Sequence, residues 1–134
     1  MINAKKSLGQ NFLVDRKILE KIVNLTPIKN KIVLEVGPGT GNLTSFILKK
    51  RPKKLYVIEK DSDLVSILND NFNHQITIIN DDVLNINERM IFDKNVIVFG
   101  NLPYNISTEI LSKWITNLKN DYWFSDLILM FQKE

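Results

Sequence analysis

Apolar positions along the chain follow two alternating periods. Short runs of β-branched and aliphatic residues at Lys31–Val36, Lys54–Glu59, Gln75–Asn80, Asn95–Gly100 and Asp126–Phe131 predict five strands. Between them apolar residues recur at the spacing of a helix face: Leu43, Phe46 and Ile47, then Leu64, Val65, Leu68 and Phe72, then Ile106, Ile110, Leu111, Trp114, Ile115 and Leu118. A further stripe, Ile18, Leu19, Ile22 and Val23, precedes the first strand. Asp15 and Ser107 are the expected N-caps of two of these helices, because a short side-chain oxygen can accept an orphan backbone N–H. Strands joined by helical crossovers pair in parallel with right-handed connections, so the pattern predicts a doubly wound, mostly parallel α/β sheet. In such sheets ligands sit at the carboxyl ends of the strands, where strand order reverses. The residues just after each strand therefore matter most.

Composition narrows the chemistry. A chain of 134 residues that is 44% hydrophobic can enclose one sizeable core, and a single domain is expected. There is no cysteine and one histidine, His74, which removes disulfides, thiolate metal sites and cysteine nucleophiles; no metal is expected, and His74 reads as a solvated loop residue. No apolar run is long enough to span a bilayer and the first residues lack a secretory core, so a soluble, cytoplasmic protein without membrane partners is expected. The net charge of +3 hides an asymmetry: residues 1–54 hold twelve basic and three acidic residues, residues 55–134 six basic and twelve acidic. Lys5, Lys6, Arg16, Lys17 and Lys21, with the run Lys49-Lys50-Arg51-Pro52-Lys53-Lys54, form a candidate phosphate-attracting surface, although such runs are commonly solvated helix ends.

The first strand leads into Glu35-Val36-Gly37-Pro38-Gly39-Thr40-Gly41-Asn42. Glycines permit positive φ and close approach of a ligand, and the helix beginning near Gly41 directs its amide dipoles at whatever binds. As a dinucleotide fingerprint the loop is imperfect, because Asn42 stands where close helix–strand packing favours glycine or alanine. Glu59, ending the second strand, can accept both hydroxyls of a ribose, a feature that NAD and S-adenosylmethionine share. After the third strand, Asn80-Asp81-Asp82-Val83 offers an acceptor for an adenine amino group and a backbone N–H for a ring nitrogen, or simply a turn.

The fourth strand runs into Gly100-Asn101-Leu102-Pro103-Tyr104-Asn105-Ile106-Ser107-Thr108. An exocyclic aromatic amine is a poor nucleophile because its lone pair is delocalised into the ring. If the Asn101 side-chain oxygen and the Leu102 carbonyl hold its hydrogens, the nitrogen can pyramidalise toward a methyl donor, a matter of positioning and of stabilising developing charge. Pro103 stiffens the turn, and Tyr104 offers a face for a base extruded from its stack.

With Ser7-Leu8-Gly9-Gln10-Asn11-Phe12-Leu13 upstream and Gln132-Lys133-Glu134 at the close, these motifs make the chain resemble the ribosomal RNA adenine dimethyltransferases, in particular the small-subunit type acting on two adjacent adenines near the 3′ end of 16S rRNA. The resemblance implies a Rossmann-like fold that uses S-adenosylmethionine. It also implies that Asn11, Leu13, Gly37, Glu59, Asp82 and Asn101 contact the cofactor and that Asn101 through Tyr104 hold the target adenine. It implies 16S rRNA in the small ribosomal subunit as partner and a monomer at full length. Relative to the family, residues 1–134 read as one incomplete catalytic domain truncated after the fifth strand, without two further strands, a later aromatic motif and a C-terminal helical RNA-binding domain. From that truncation weak cofactor binding and little or no methylation by residues 1–134 alone are expected. Three alternatives stay open: a large-subunit relative, a non-catalytic RNA-binding or assembly module, and an NAD-dependent dehydrogenase, against which Asn101-Leu102-Pro103-Tyr104 argues.

Overall fold

The computed structural model describes residues 15–116 and 122–131, the side chain of Tyr104 excepted. In chain order the elements are α1 (Arg16–Val23), β1 (Ile32–Val36), α2 (Asn42–Lys49), β2 (Lys54–Ile58), α3 (Ser62–Phe72), β3 (Thr77–Ile79), β4 (Val96–Leu102), α4 (Tyr104–Thr116) and β5 (Phe124–Phe131), with one 3-10 turn before β3 and two between β3 and β4. The strands form one sheet in the order β3-β2-β1-β4-β5, every pairing parallel. The chain winds outward from β1 through β2 to β3, then returns to place β4 on the other side of β1. Strand order thus reverses between β1 and β4, and the carboxyl ends of such a pair are where a doubly wound sheet forms its ligand crevice.

Both faces of the sheet are covered because its central strands are apolar on both sides. On one face Val33, Leu55, Val57, Ile97 and Phe99 pack with Leu19, Ile22 and Val23 of α1, Leu43 and Ile47 of α2 and Leu68 of α3. On the other, Leu34, Val36, Ile58, Val96 and Val98 meet Ile110 and Trp114 of α4, Trp123, and Val83, Ile86 and Phe92 from the segment before β4. The rings of Trp123 and Phe92 stack at 5.6 Å, and Trp114 meets Trp123 edge-on at 5.3 Å.

The caps explain where several helices begin. Asp15 accepts from the Lys17 N–H at 2.9 Å, as expected. Asp61, which the apolar pattern does not single out, caps α3 by accepting from Asp63 and Leu64. Ser107 is not a cap. Pro103 forces the preceding Leu102 to stay extended while its own φ suits a helix start, so β4 passes into α4 without a loop and Ser107 falls inside the first turn. The strand boundaries also move. β3 is shorter than expected because Asn73–Gln75 form a 3-10 turn, and β4 extends through Asn101 and Leu102, which pair with Met130 and Phe131 of β5.

The segment before β4 is clamped to α4 by one cation. Lys113 donates to the carbonyls of Val83 (3.0 Å) and Ile86 and to the Glu88 carboxylate (3.1 Å), which also accepts from Trp114 Nε1 at 2.9 Å. Glu88 is buried, so removing its cation leaves a poorly compensated charge. Lys113→Met is expected to lower stability by about 3 kcal/mol, the lower part of the range for breaking a buried pair. Urea unfolding measures this, and a change within experimental error would show that the cluster is not a clamp.

Candidate functional site

At the carboxyl end of β1 the chain turns sharply through Gly37, Gly39 and Gly41, whose φ angles are 70°, 60° and 98°. These values suit glycine and strain other residues. Gly41 N–H donates to the Pro38 carbonyl at 3.0 Å, closing the turn, and Gly41 itself caps α2 without any side-chain hydrogen bond. A side chain at Gly41 would overlap the Phe72 ring of α3. The third glycine therefore serves helix packing, the task that the fingerprint would have given to position 42.

Gly37 serves the crevice itself. A Cβ there would lie 2.5 Å from Leu102 Cδ2 and 3.4 Å from the Asn101 carbonyl oxygen. The turn after β1 and the end of β4 are thus in direct contact, and Val36 pairs with Gly100 just below. Two segments more than sixty residues apart in the chain form one wall.

Glu59 stands next to the turn, 6% exposed. Its carboxylate accepts from the backbone N–H groups of Asp61 (3.0 Å), Gly39 and Lys60, which fix its orientation. Burial nevertheless pushes this carboxyl above its ordinary range, outweighing those donors. Asn80 Nδ2 donates to the Glu59 carbonyl at 2.9 Å and to that of Lys60 at 3.3 Å, tying the ends of β2 and β3 together. Asp82 is half-buried; one oxygen accepts from the Leu84 N–H at 3.0 Å, and the other lies 3.8 Å from Lys60 Nζ. Its own N–H donates to Asp81 at 2.7 Å.

Asn101, Leu102 and Pro103 are half-buried at the rim, with no cis peptide bond among the described residues. Ser107 Oγ donates to the Leu102 carbonyl at a long 3.4 Å. The structure therefore brings Gly37, Glu59, Asp82, Asn101, Leu102 and Pro103 to the same end of the sheet, at the close of β1, β2, β3 and β4. Asn11 and Leu13 lie outside the described residues, as does the Tyr104 side chain.

One residue escaped the sequence analysis. Glu35, on the central strand, is 2% exposed, and its Oε1 accepts from Thr44 Oγ1 of α2 at 2.5 Å. Burial raises its pKa to about 7; the Thr44 hydrogen bond lowers it and the neighbouring charge of Glu59 raises it. Its signal in the sequence is a carboxylate inside an otherwise apolar buried strand, a placement that is costly without a role. Two buried carboxyl groups, one of which raises the pKa of the other, beside the glycine turn suit a ligand with a cationic centre and hydroxyls. S-adenosylmethionine has both, so these residues fit it.

Comparison with known proteins agrees in outline. A family model described as ribosomal RNA adenine dimethylase matches residues 1–134. A ribosomal RNA small subunit methyltransferase A from Pelagibacter ubique is 65% identical over 133 residues, covering 99% of this chain and 51% of that protein. Among solved structures, a dimethyladenosine transferase from Plasmodium falciparum is similar with a TM-score of 0.74 and 32% identity, over 91% of this chain and 43% of the other. The 23S rRNA methyltransferase ErmE gives 0.72 and 26%, over 91% and 48%. The chain spans about half the length of the curated relatives it matches.

The buried acid has a pH consequence. A carboxyl whose folded pKa is about 7 against an ordinary 4.5 contributes stability that is fully present below pH 4.5 and is lost as pH rises through 7. Across that window the ligand-free chain is expected to lose about 3 kcal/mol from this group. Glu35→Gln keeps an acceptor for Thr44 and removes the titration, so its stability relative to the parent should rise between pH 5 and pH 8. A constant difference in urea unfolding free energy across this range would show that Glu35 does not titrate there.

Proposed function

The chain belongs to the ribosomal RNA adenine dimethylase family, and on that premise we propose that its β1–β4 crevice binds S-adenosylmethionine and holds the adenine to be methylated. In the whole protein the product is dimethylation of two adjacent adenines near the 3′ end of 16S rRNA. The observation that carries this reading is the contact of Gly37 with Asn101 and Leu102, which gives a cofactor loop and an amine-holding motif a common wall. Greater identity to a small-subunit methyltransferase than to a 23S enzyme favours the small-subunit substrate.

In this reading Glu59 accepts the ribose hydroxyls, Asp82 and its neighbours meet the adenine of the cofactor, and the glycine turn lies along the cofactor's chain. Asn11 and Leu13 complete that site from the N-terminal segment. When bound, S-adenosylmethionine supplies an electrophilic methyl group on a cationic sulfur. The Asn101 side-chain oxygen and the Leu102 carbonyl accept the hydrogens of the target amine and orient its lone pair, stabilising the charge that develops on nitrogen. The Ser107 hydroxyl shares the Leu102 carbonyl through a long bond, leaving that oxygen's second lone pair for the amine. Pro103 holds the strand-to-helix turn rigid, and Tyr104 stacks on the base. The alkylated amine is strongly acidic, so its proton passes to water without a dedicated base. The whole protein acts in the cytoplasm as a monomer, with residues 1–134 as its cofactor-binding part; no helix among the described residues is long and apolar enough to cross a membrane.

The function is tested by incubating the full-length protein with undermethylated small subunits and labelled cofactor, then weighing the rRNA. Two methyl groups on each of two adjacent adenines are expected; methylation only of large-subunit RNA, or none, contradicts the reading. Asn101→Ala in the same protein is expected to slow methyl transfer by about 3 kcal/mol, comparable to losing one preorganised transition-state partner. Calorimetric cofactor affinity should fall by less, and equal losses in the two measurements would make Asn101 a cofactor ligand only.

A further inference from the structure

The run of cations between Lys29 and Lys54 has no part in the crevice, and the fold gathers it at the opposite end of the sheet. Lys29 and Lys31 precede β1, Lys50 and Arg51 follow α2, Lys53 precedes β2 and Lys54 opens it. The two turns that carry them are joined: Asn30 N–H donates to the Arg51 carbonyl at 3.0 Å, and Lys53 N–H to the Lys31 carbonyl at 2.8 Å. Asn30 and Arg51 both take left-handed backbone conformations, φ 61° and 58°, that make these turns tight. Five of the six cations are exposed, and Lys50 is half-buried. Lys49 adds a seventh cation, its ammonium group 4.6 Å from the centre of the Phe46 ring, and Lys54 is ordered in the same way, 4.8 Å from that of Tyr56.

The surrounding stretch of sequence does little to offset this charge. From Asn24 to Ile58 the only acid is Glu35, buried toward the other end of β1. Among the described residues none of the six has a carboxylate within ion-pair distance. Asp126, in the first half of β5, already accepts from Thr26. Cations kept this close without carboxylate partners among the described residues repel one another, and a polyanion relieves that repulsion.

We propose that this amino-end surface binds the phosphodiester backbone of an RNA segment other than the one that carries the target adenine. The five residues of β1 separate it from the glycine turn by roughly 15 Å, so it cannot grip the phosphates beside a base lying in the crevice. Its contacts are phosphate contacts without base readout, and they serve affinity and orientation. The choice of RNA over other polyanions rests on the reading that the protein acts on ribosomal RNA.

The test is the triple variant K29E/K31E/K53E in the full-length protein, with binding measured to a short RNA duplex of unrelated sequence between about 50 and 200 mM salt. The slope of log affinity against log salt should fall by about 2 to 3, and affinity near 0.1 M salt should drop on the order of tenfold. Calorimetric affinity for S-adenosylhomocysteine should stay unchanged, which shows that the variant is folded. An unchanged slope and affinity overturn the proposal. So does parent protein that binds anionic phospholipid vesicles but not the duplex. Because the readout is binding, it stands even if methyl transfer to small subunits is not found.

Discussion

The crevice depends on one close approach, that of the turn after β1 to the last residues of β4. Parallel pairing of Val36 with Gly100 brings the two strand ends level, and the missing side chain at Gly37 lets Leu102 close over the turn. Any larger residue at position 37 would meet Leu102 Cδ2 and would also have to hold a φ of 70°. The rest follows from that contact. The reversal of strand order beside β1 creates the opening, Pro103 turns β4 directly into α4, and Lys113 holds the segment after Asp82 against the same helix. Proposed cofactor loop and proposed amine holder are therefore consequences of one packing arrangement.

The electrostatics of the two ends of the sheet are opposite. Beneath the crevice, Glu35 and Glu59 are carboxyl groups whose burial disfavours charge, and each is partly relieved by hydrogen bonds, from Thr44 in one case and from backbone N–H groups in the other. At the amino ends of β1 and β2, cations crowd without carboxylate partners among the described residues. A cationic cofactor at one end and a polyanion at the other would lower the energy of both.

Much of the architecture is legible in the sequence because it depends on periodicity, and periodicity survives small local errors. The strand cores, the four helices and the parallel order follow from apolar runs interleaved with helix faces. The misses are places where one local interaction overrides the pattern. Asn80 looks like the end of a strand, yet its amide turns back to bind the carbonyls of Glu59 and Lys60. Ser107 looks like a cap, but Pro103 has already started the helix. Of the site, the turn and the Asn101-Leu102-Pro103 motif are readable from residue type and position. Glu35 is legible only as a carboxylate set in an apolar strand; its hydrogen bond from Thr44 on α2 and its nearness to Glu59 depend on the fold and have no local signal.

Everything proposed for the reaction requires that the β1–β4 crevice be the cofactor site. Backbone amide NMR of the chain titrated with S-adenosylhomocysteine tests it most directly. The largest shifts are expected on Gly37 to Gly41, Glu59 to Asp61, Asp82 to Leu84 and Asn101, with little change at Lys29 to Lys31 or Lys53. Shifts concentrated away from these strand ends, or the same response to NAD, would contradict it.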